Sequence, residues 1–331
     1  RINLNKGALD FVKIGLNVKH YSYQRGFQDY FNQYYHAEPF LAIQFRTSLT
    51  KLTTSKLKFS VFSIIDNVRN SDPQSGNETI VKERYFIPKI SYYYSDPSII
   101  SPHAFNASIY YEKYKTIQDQ QAQYIRTDLE FRNDWRLSRK RYFSARWAMS
   151  FFPVNTERER QSAAVRTDQH FIRGTAGSAF QGYHDYTNEY NFLGRSATTG
   201  LWSQQIEIVQ GGMKIAPGLA QRNNLGNTNK FMVAMNISSD IPVKWVGRIF
   251  RPYFDVVYLE PVSGGEKSKW LYSGGIGLNI VPKFFEIYLP IINSSNITEI
   301  YKSENRPYLK QICFSLKLNF EHIRDIANFV Q

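Results

Sequence analysis

The six histidines are the side chains best suited to catalysis in this 331-residue chain. A hydrolase would need a Ser–His pair or an Asp–His set within hydrogen-bond reach. His170 and His184 stand near three carboxylates, those of Asp168, Asp185 and Glu189. Their spacing matches no catalytic motif, so solvated loop residues are the simpler interpretation. The sequence therefore leaves enzymatic activity uncertain and assigns no catalytic residue.

Metal and cofactor sites are not predicted either. His322 is not part of an HExxH zinc motif, which needs a second histidine. The lone Cys313 gives neither a disulfide framework nor a metal cluster. The glycine pairs at 211–212, 264–265 and 274–275 do not open helices, so they are not phosphate loops. Glycines within strands more often mark bends or a close backbone approach.

Charged side chains at every second position form the clearest pattern. In residues 125–132, Arg126, Asp128, Glu130 and Arg132 alternate with apolar or uncharged neighbours. A period of two predicts a β-strand with one charged and one apolar face. Similar alternation recurs along the chain. The predicted charged face holds Lys13, Lys19, Arg46, Arg126, Asp128, Glu130, Arg132, Asp134, Arg146 and Lys317. The predicted apolar face holds Ile14, Leu16, Phe105, Ile109, Leu129, Phe131, Trp147, Phe314 and Leu316.

Composition indicates which kind of β-protein would position these faces. No run approaches the roughly 20 apolar residues of a membrane helix, and the mean hydropathy is −0.43. A membrane β-barrel leaves no such run, because lipid-facing and lumen-facing residues alternate. Aromatic residues make up 16% of the chain, which suits the girdles at the two membrane interfaces. A soluble β-sandwich, the alternative, rarely needs so many tyrosines. We therefore predict a closed antiparallel transmembrane β-barrel in a Gram-negative outer membrane.

The pattern predicts one barrel domain over residues 1–331. We count about thirteen strand-like segments and expect about twelve strands, with fourteen as the alternative, because bacterial single-chain barrels have even strand numbers. The segment at 57–65 or that at 285–289 is then not a separate strand. Long connections alternate with short ones, which predicts an extracellular side with a long insert at about 155–199. Residues 321–331 lose the alternation and suit a short amphipathic helix.

The charged face of such a barrel has two interpretations. Charges that pair across strands would form a structural network that closes the pore, because uncompensated buried charge is costly. A conduction path is the alternative. The network is favoured, since small barrels fill with side chains.

The net charge of +13 fits nucleic acid, anionic lipid, or basic loops and a basic lumen. We expect outer-membrane lipid and lipopolysaccharide as partners rather than nucleic acid, because lipopolysaccharide phosphates attract basic loops. The 155–199 insert carries aromatic residues between Arg and Gln, a composition suited to a protein interface or a lid.

Several motifs in the last third of the chain are similar to one protein family. They are Phe192-Leu193-Gly194-Arg195-Ser196, Gly200-Leu201-Trp202-Ser203-Gln204-Gln205, Gly211-Gly212-Met213-Lys214, Tyr272-Ser273-Gly274-Gly275-Ile276, Ile287-Tyr288-Leu289-Pro290-Ile291 and Ile312-Cys313-Phe314-Ser315-Leu316. Together they resemble the C-terminal barrel regions of large Bacteroidetes outer-membrane proteins, some of them metallopeptidase-like. The resemblance covers about residues 192–320. It implies a Bacteroidetes source and an upstream region, which the start at Arg1, without Met or signal peptide, also suggests. It transfers no catalytic residue, because this chain lacks a zinc motif.

Three functions remain open at this point. The first is a membrane anchor or structural subunit of a larger outer-membrane assembly. The second is a narrow channel or substrate-specific pore gated by the 155–199 insert. The third is an outer-membrane hydrolase with its site at the extracellular rim. A water-filled lumen would favour the second, and a cluster of Ser, Asp and His would favour the third.

Overall fold

The computed structural model describes residues 2–3, 9–23, 32–45, 53–71, 78–115, 121–138, 141–156, 176–178, 200–216, 225–243, 247, 249–262, 269–281 and 284–316. Within these ranges the chain forms a 15-stranded sheet and one α-helix. The strands are β1 (Ile2–Asn3), β2 (Leu9–Tyr23), β3 (Asn32–Phe45), β4 (Thr54–Ser71), β5 (Glu78–Asp96), β6 (His103–Lys115), β7 (Gln121–Ser138), β8 (Arg141–Asn155), β9 (Ala176–Gly177), β10 (Gln205–Ile206), β11 (Asn227–Ser239), β12 (Phe250–Pro261), β13 (Trp270–Val281), β14 (Phe285–Asn293) and β15 (Cys313–Leu316). The helix α1 is Ser295–Ser303, and 3-10 turns cover Leu201–Gln204 and Tyr308–Lys310.

The strands follow one another in the sheet almost in chain order. The path runs from β1 to β8, continues through β11 to β15 and ends on β10, while β9 pairs with β11 beside it. The pairs are antiparallel except that between β10 and β15, which is parallel and places Gln205 opposite Phe314. Among the described residues, no pair joins β1 or β2 to β10 or β15, so the path stays open there. The predicted all-β class is confirmed.

Two expectations about strand boundaries can be compared with the structure. The segments at 57–65 and 285–289 both lie in long strands, β4 and β14, so the expectation that one of them is not a separate strand was wrong. Each is paired along both edges, which stabilises short apolar runs as strands. The last predicted strand begins at Cys313 and is described to Leu316; residues 321–331 lie outside the described part of the chain.

The register produces two faces with opposite character. On one face, direct cross-strand neighbours form a row of Lys13, Ala42, Lys58, Ser91, Ser108, Asp128, Ser150, Met232 and Leu259. Beside it on the other face runs a row of Ile14, Leu41, Phe59, Ile90, Ile109, Thr127, Phe151 and Phe231. Ala42 and Leu259 are fully buried, whereas Ile14 is 75% exposed. We call the face of the Lys13 row the inner face and that of the Ile14 row the outer face.

The largest buried hydrophobic cluster lies on the inner face of the later strands, and a smaller one, which includes Phe62 and Ile87, lies on β3–β5. In the largest cluster, Met232, Val257, Leu259 and Leu271 of β11–β13 pack against Met213 and other residues of the connection between β8 and β11. Ile297 and Tyr301 of α1 join the same cluster. The core is therefore built from inner-face side chains together with segments of the chain that leave the sheet.

No helix in the described ranges has the length and apolar character needed to cross a membrane.

Candidate functional site on the inner face of the sheet

The structure groups the predicted charged residues on one face. By the register, eight of them occupy inner-face positions: Lys13, Lys19, Arg126, Asp128, Glu130, Arg132, Asp134 and Arg146. Arg46 and Lys317 lie outside the described residues. Period-two alternation alone was enough to sort these residues, because successive strand side chains point to opposite faces.

The predicted apolar residues all occupy outer-face positions. By the register, all nine lie on the same face as the Ile14 row: Ile14, Leu16, Phe105, Ile109, Leu129, Phe131, Trp147, Phe314 and Leu316. Leu16, Ile109 and Trp147 are exposed. Phe314 differs, since only 6% of it is exposed. Its ring lies 6.0 Å from the ring of Trp202 in an edge-to-face contact, so another part of the chain covers it on this face. Phe314 therefore lies on the predicted face, but beneath Trp202.

Glu130 is the centre of the first inner-face ion-pair group. Its carboxylate pairs with the Arg132 guanidinium on the same strand, with 2.5 Å between Nε and Oε1. It also pairs across strands with Arg146, with 2.7 Å between Nη2 and Oε2. The Arg132 side chain is exposed and that of Arg146 is buried. Because the Glu130 carboxylate accepts hydrogen bonds from both, its charge is neutralised and its oxygens have partners.

A second pair lies further along the same strand. Arg126 binds Asp128 through two contacts, at 2.8 Å from Nε to Oδ1 and at 2.7 Å from Nη2 to Oδ2. The Ser150 hydroxyl on β8 donates to the same carboxylate at 2.7 Å. These two contacts fix both side chains against the inner face of the sheet.

The inner face of the first strands carries a third group. Glu38 accepts a hydrogen bond from Asn17 at 2.8 Å and pairs with Lys58 at 2.7 Å, and it is buried. Lys58 also lies 4.8 Å from the centre of the Phe40 ring. Lys89 repeats this contact over Tyr110 at 4.9 Å. Cations here are placed against aromatic faces as well as carboxylates, which offsets part of their desolvation.

The first group extends into residues that the sequence analysis missed. Arg146 donates from Nη1 to the Asn236 side-chain oxygen at 2.8 Å, and Asn236 donates in turn to Asp255 at 3.0 Å. Asp255 is fully buried and accepts from Lys214 twice, from Nζ at 2.6 Å and from the backbone N–H at 2.9 Å. Five side chains, Glu130, Arg146, Asn236, Asp255 and Lys214, thus form one polar chain that links four strands, β7, β8, β11 and β12, to Lys214.

Lys214 belongs to a segment that follows β10 and lies on the inner face, residues 207–216, which we call the plug segment. Asn236 donates to the carbonyl of Gly211, and Gly211 donates from its N–H to the carbonyl of Gly177 at 3.1 Å. The backbone at Gly212 has a φ of +60°, and an added Cβ there would come within 2.7 Å of Arg146 Nη1. A glycine is therefore required where the plug segment meets the wall.

Apolar contacts hold the rest of the plug segment. Met213, Ile215 and Ala216 are buried among the inner-face core. The Ala216 N–H donates to the Tyr301 hydroxyl of α1 at 3.3 Å. Burial raises the pKa of the Tyr301 phenol above its ordinary value, so this hydroxyl stays neutral and available as an acceptor. The plug segment is thus fixed to the sheet at one end and to α1 at the other.

The described histidines show no hydrolase arrangement. His20 stacks on Tyr35 at 4.5 Å, and His36 packs edge-on against Phe62 at 5.0 Å. His103 lies between two aromatic rings, and its Nδ1 is 3.2 Å from the Ser101 carbonyl oxygen. His170, His184 and His322 lie outside the described residues, as do Asp168, Asp185 and Glu189. Within the described ranges, no group of three His, Cys, Asp or Glu side chains is placed to hold a metal ion.

No protein-family model, curated protein or solved structure matches this chain.

Proposed function

We propose that this chain is a membrane-spanning β-barrel of a Gram-negative outer membrane whose lumen is filled by its own residues. In this proposal it serves as a membrane anchor or structural subunit of a larger outer-membrane assembly. The packing on the inner face favours an anchor over a channel. Side chains of the sheet, the plug segment and α1 pack together there, and their charges are paired. A conducting lumen would need an open aqueous path.

The outer face supplies the support for a membrane. Trp135 and Phe143 lie near the turn between β7 and β8, with their rings 5.6 Å apart. Near the opposite ends of the strands, the Tyr258 ring lies 5.7 Å from that of Phe231 and 4.8 Å from that of Trp270. Between these groups, β8 exposes Trp147 and Met149. These are two aromatic groups that flank an apolar band, as in outer-membrane barrels.

The spacing of the two groups fits a bilayer. Phe151 is opposite Phe231, and Phe143 is opposite Trp135. Eight residues along a strand at roughly 3.4 Å each span about 27 Å, and a tilt of about 40° reduces this to about 21 Å along the membrane normal. This is close to the height of the apolar band of outer-membrane barrels, about 25 Å. Exposed apolar side chains over such a band would make a water-soluble protein aggregate.

Barrel closure is part of this proposal. In a hydrocarbon environment every backbone polar group must be paired, so a membrane sheet has to close on itself or be covered. The free edges that must be satisfied are those of β2 beyond its short pairing with β1 and of β10. Closure through these two edges gives the chain the topology of a single barrel domain.

Three further expectations stay predictions within this proposal. They are the Bacteroidetes origin with an upstream region that the barrel would anchor, contact between the basic loops and lipopolysaccharide, and docking of a partner protein on the 155–199 insert.

The proposal is tested by localisation and conductance together. The chain expressed with an export signal should fractionate with the outer membrane and migrate differently on gels with and without heating. Purified and inserted into planar bilayers, it should give no stable ion conductance. A protein that stays soluble without detergent would contradict the membrane proposal, and a steady open conductance would replace the anchor with the channel.

A further inference from the structure

An apolar groove lies on the outer face near the last strands. Phe285, Ile287 and Leu316 form its floor, and Trp202, Leu309 and Ile312 form its sides. Its volume is about 600 Å³, which falls within the range of small-molecule sites in proteins. The floor residues face outward by register, since Ile287 is opposite Phe314 and Phe285 is opposite Leu316. The groove therefore opens on the side of the sheet that we propose faces lipid.

The sides of the groove come from irregular segments, which need special treatment at a lipid-facing surface. Backbone carbonyls that end without a partner are costly in hydrocarbon. Here the Gln204 side-chain amide donates to the carbonyls of both Leu309 and Ile312, at 2.6 Å each. Gln205 donates in the same way to Leu316 at 3.3 Å. The two glutamines thus satisfy three backbone carbonyls at the groove, which leaves its surface less polar.

Apolar side chains remain on the groove rim. Leu309 is 74% exposed, Leu201 67% and Trp202 45%. Phe314, by contrast, is buried beneath Trp202, and its ring also meets that of Phe285 at 6.0 Å. A rigid aromatic base with exposed apolar edges is a surface that water does not stabilise.

From these contacts we infer that the groove holds an acyl chain of a membrane phospholipid. An extended peptide in the groove would bring backbone N–H and C=O groups that need partners, whereas the carbonyls of Leu309, Ile312 and Leu316 already accept hydrogen bonds from Gln204 and Gln205. An acyl chain has no polar groups along its length and gains from apolar burial alone. Lys310 follows Leu309 and is exposed, so positive charge lies beside the wall where a lipid phosphate is attracted.

This inference rests on the proposed function, because the groove meets lipid only if the outer face lies in a membrane. The full chain is reconstituted into vesicles of phosphatidylcholine and phosphatidylglycerol that contain a phosphatidylglycerol with a photoreactive group on its acyl chain. After irradiation and digestion, adducts are located by mass spectrometry. Adducts on Trp202, Leu309 and Ile312 should exceed those on Leu16, an exposed outer-face residue away from the groove, by several-fold.

Two variants make the result specific. Ile312→Trp fills the groove and should abolish the excess adducts there while those on Leu16 persist. Because that variant can fail to fold, Leu309→Glu serves as the second: it changes an exposed rim residue and should also reduce groove adducts. The matched control is Ile99→Glu, which changes an equally exposed residue in the β5–β6 connection and should leave groove adducts unchanged.

The outcomes separate the two proposals. Adducts on Leu16 with no excess in the groove would mean contact with bulk lipid only and would overturn the acyl-chain site while leaving the membrane barrel intact. Adducts on neither would contradict the membrane proposal itself. Excess adducts that Leu309→Glu leaves unchanged would also overturn the groove as the site.

Discussion

The Lys214 ammonium lies 2.6 Å from the Asp255 carboxylate, and both side chains are buried. Lys214 comes from the plug segment and Asp255 from the inner face of β12, so this pair fixes an irregular part of the chain to the sheet. The Asp255 carboxylate also accepts from Asn236, which joins the pair to the Arg146–Glu130 group. The same group of contacts both neutralises buried charge and holds the plug segment on the inner face.

Removing one partner of this pair should destabilise the protein strongly. Asp255→Asn leaves the Lys214 ammonium buried without its counter-charge, which costs about 3–5 kcal/mol in comparable buried pairs. The measurement is the free energy of unfolding by urea in detergent micelles. Lys269→Met is the matched control: it breaks an ion pair of similar length with Glu260, and its ammonium is exposed. The control should change little, because solvent screens exposed pairs.

Equal stability of Asp255→Asn and Lys269→Met would contradict the structural role of the Lys214–Asp255 pair. Replacing both partners with leucine should recover part of the loss, since no buried charge then remains unpaired.

A charged substitution on the outer face should cost more stability in the middle of the apolar band than near its ends. Leu129→Arg places a guanidinium in the middle of the apolar band and should lower the free energy of unfolding in vesicles by about 2–4 kcal/mol. Leu137→Arg is the control on the same strand and the same face, one residue from the end of β7, where the expected cost is about 0–1 kcal/mol. A neutral Leu129→Arg would mean that the outer face does not meet lipid.

The glycine at the contact between the plug segment and the sheet should be more sensitive to substitution than a strained glycine in open space. Gly212→Ala forces an L residue into positive φ and brings its Cβ against Arg146. Gly200 has a φ of +72° and a ψ of −170°, a conformation that is nearly restricted to glycine, but an added Cβ there meets nothing within 4 Å. Backbone strain of this kind costs about 1–3 kcal/mol, so a larger loss at Gly212 would come from the Arg146 contact. We expect Gly212→Ala to lower the melting temperature clearly more than Gly200→Ala. Similar losses would show that strain, and not the Arg146 contact, dominates.

The strands and their faces could be predicted from the sequence, because alternation is a local property of each strand. Asp128 and Leu129 were assigned to opposite faces correctly on that basis. Lys214 and Asp255 were not found, since Lys214 lies in a segment without periodicity and reaches Asp255 only through the tertiary fold. The signal available was Asp255 itself, the single carboxylate on the inner side of β12, between Tyr253 and Val257. The burial of Phe314 was missed for a related reason: Trp202, which covers it, is distant in sequence.

The 155–199 insert separates into parts with different expected roles. Ala176 and Gly177 pair with Thr228 and Asn227 of β11, and Ser178 accepts a hydrogen bond from Met213 of the plug segment. Deleting residues 158–174 keeps these contacts, whereas deleting residues 158–188 removes them. The longer deletion should therefore lower the stability of the protein more than the shorter one. Thermal unfolding of both variants is the measurement, and equal stability would show that β9 contributes nothing to the plug.

The most direct test of the central claim is the accessibility of consecutive positions along β8. In a Cys313→Ala background, single cysteines at positions 145–152 are spin-labelled in lipid vesicles, and collision rates with oxygen and with a water-soluble nickel complex are measured. The account predicts a period of two, with positions 147, 149 and 151 accessible to oxygen in lipid and positions 146, 148, 150 and 152 shielded from both reagents. The buried position 145 should be less accessible than position 147. Access of the nickel complex to positions 147 and 149, or the loss of the period of two, would contradict a lipid-facing outer surface around a filled interior.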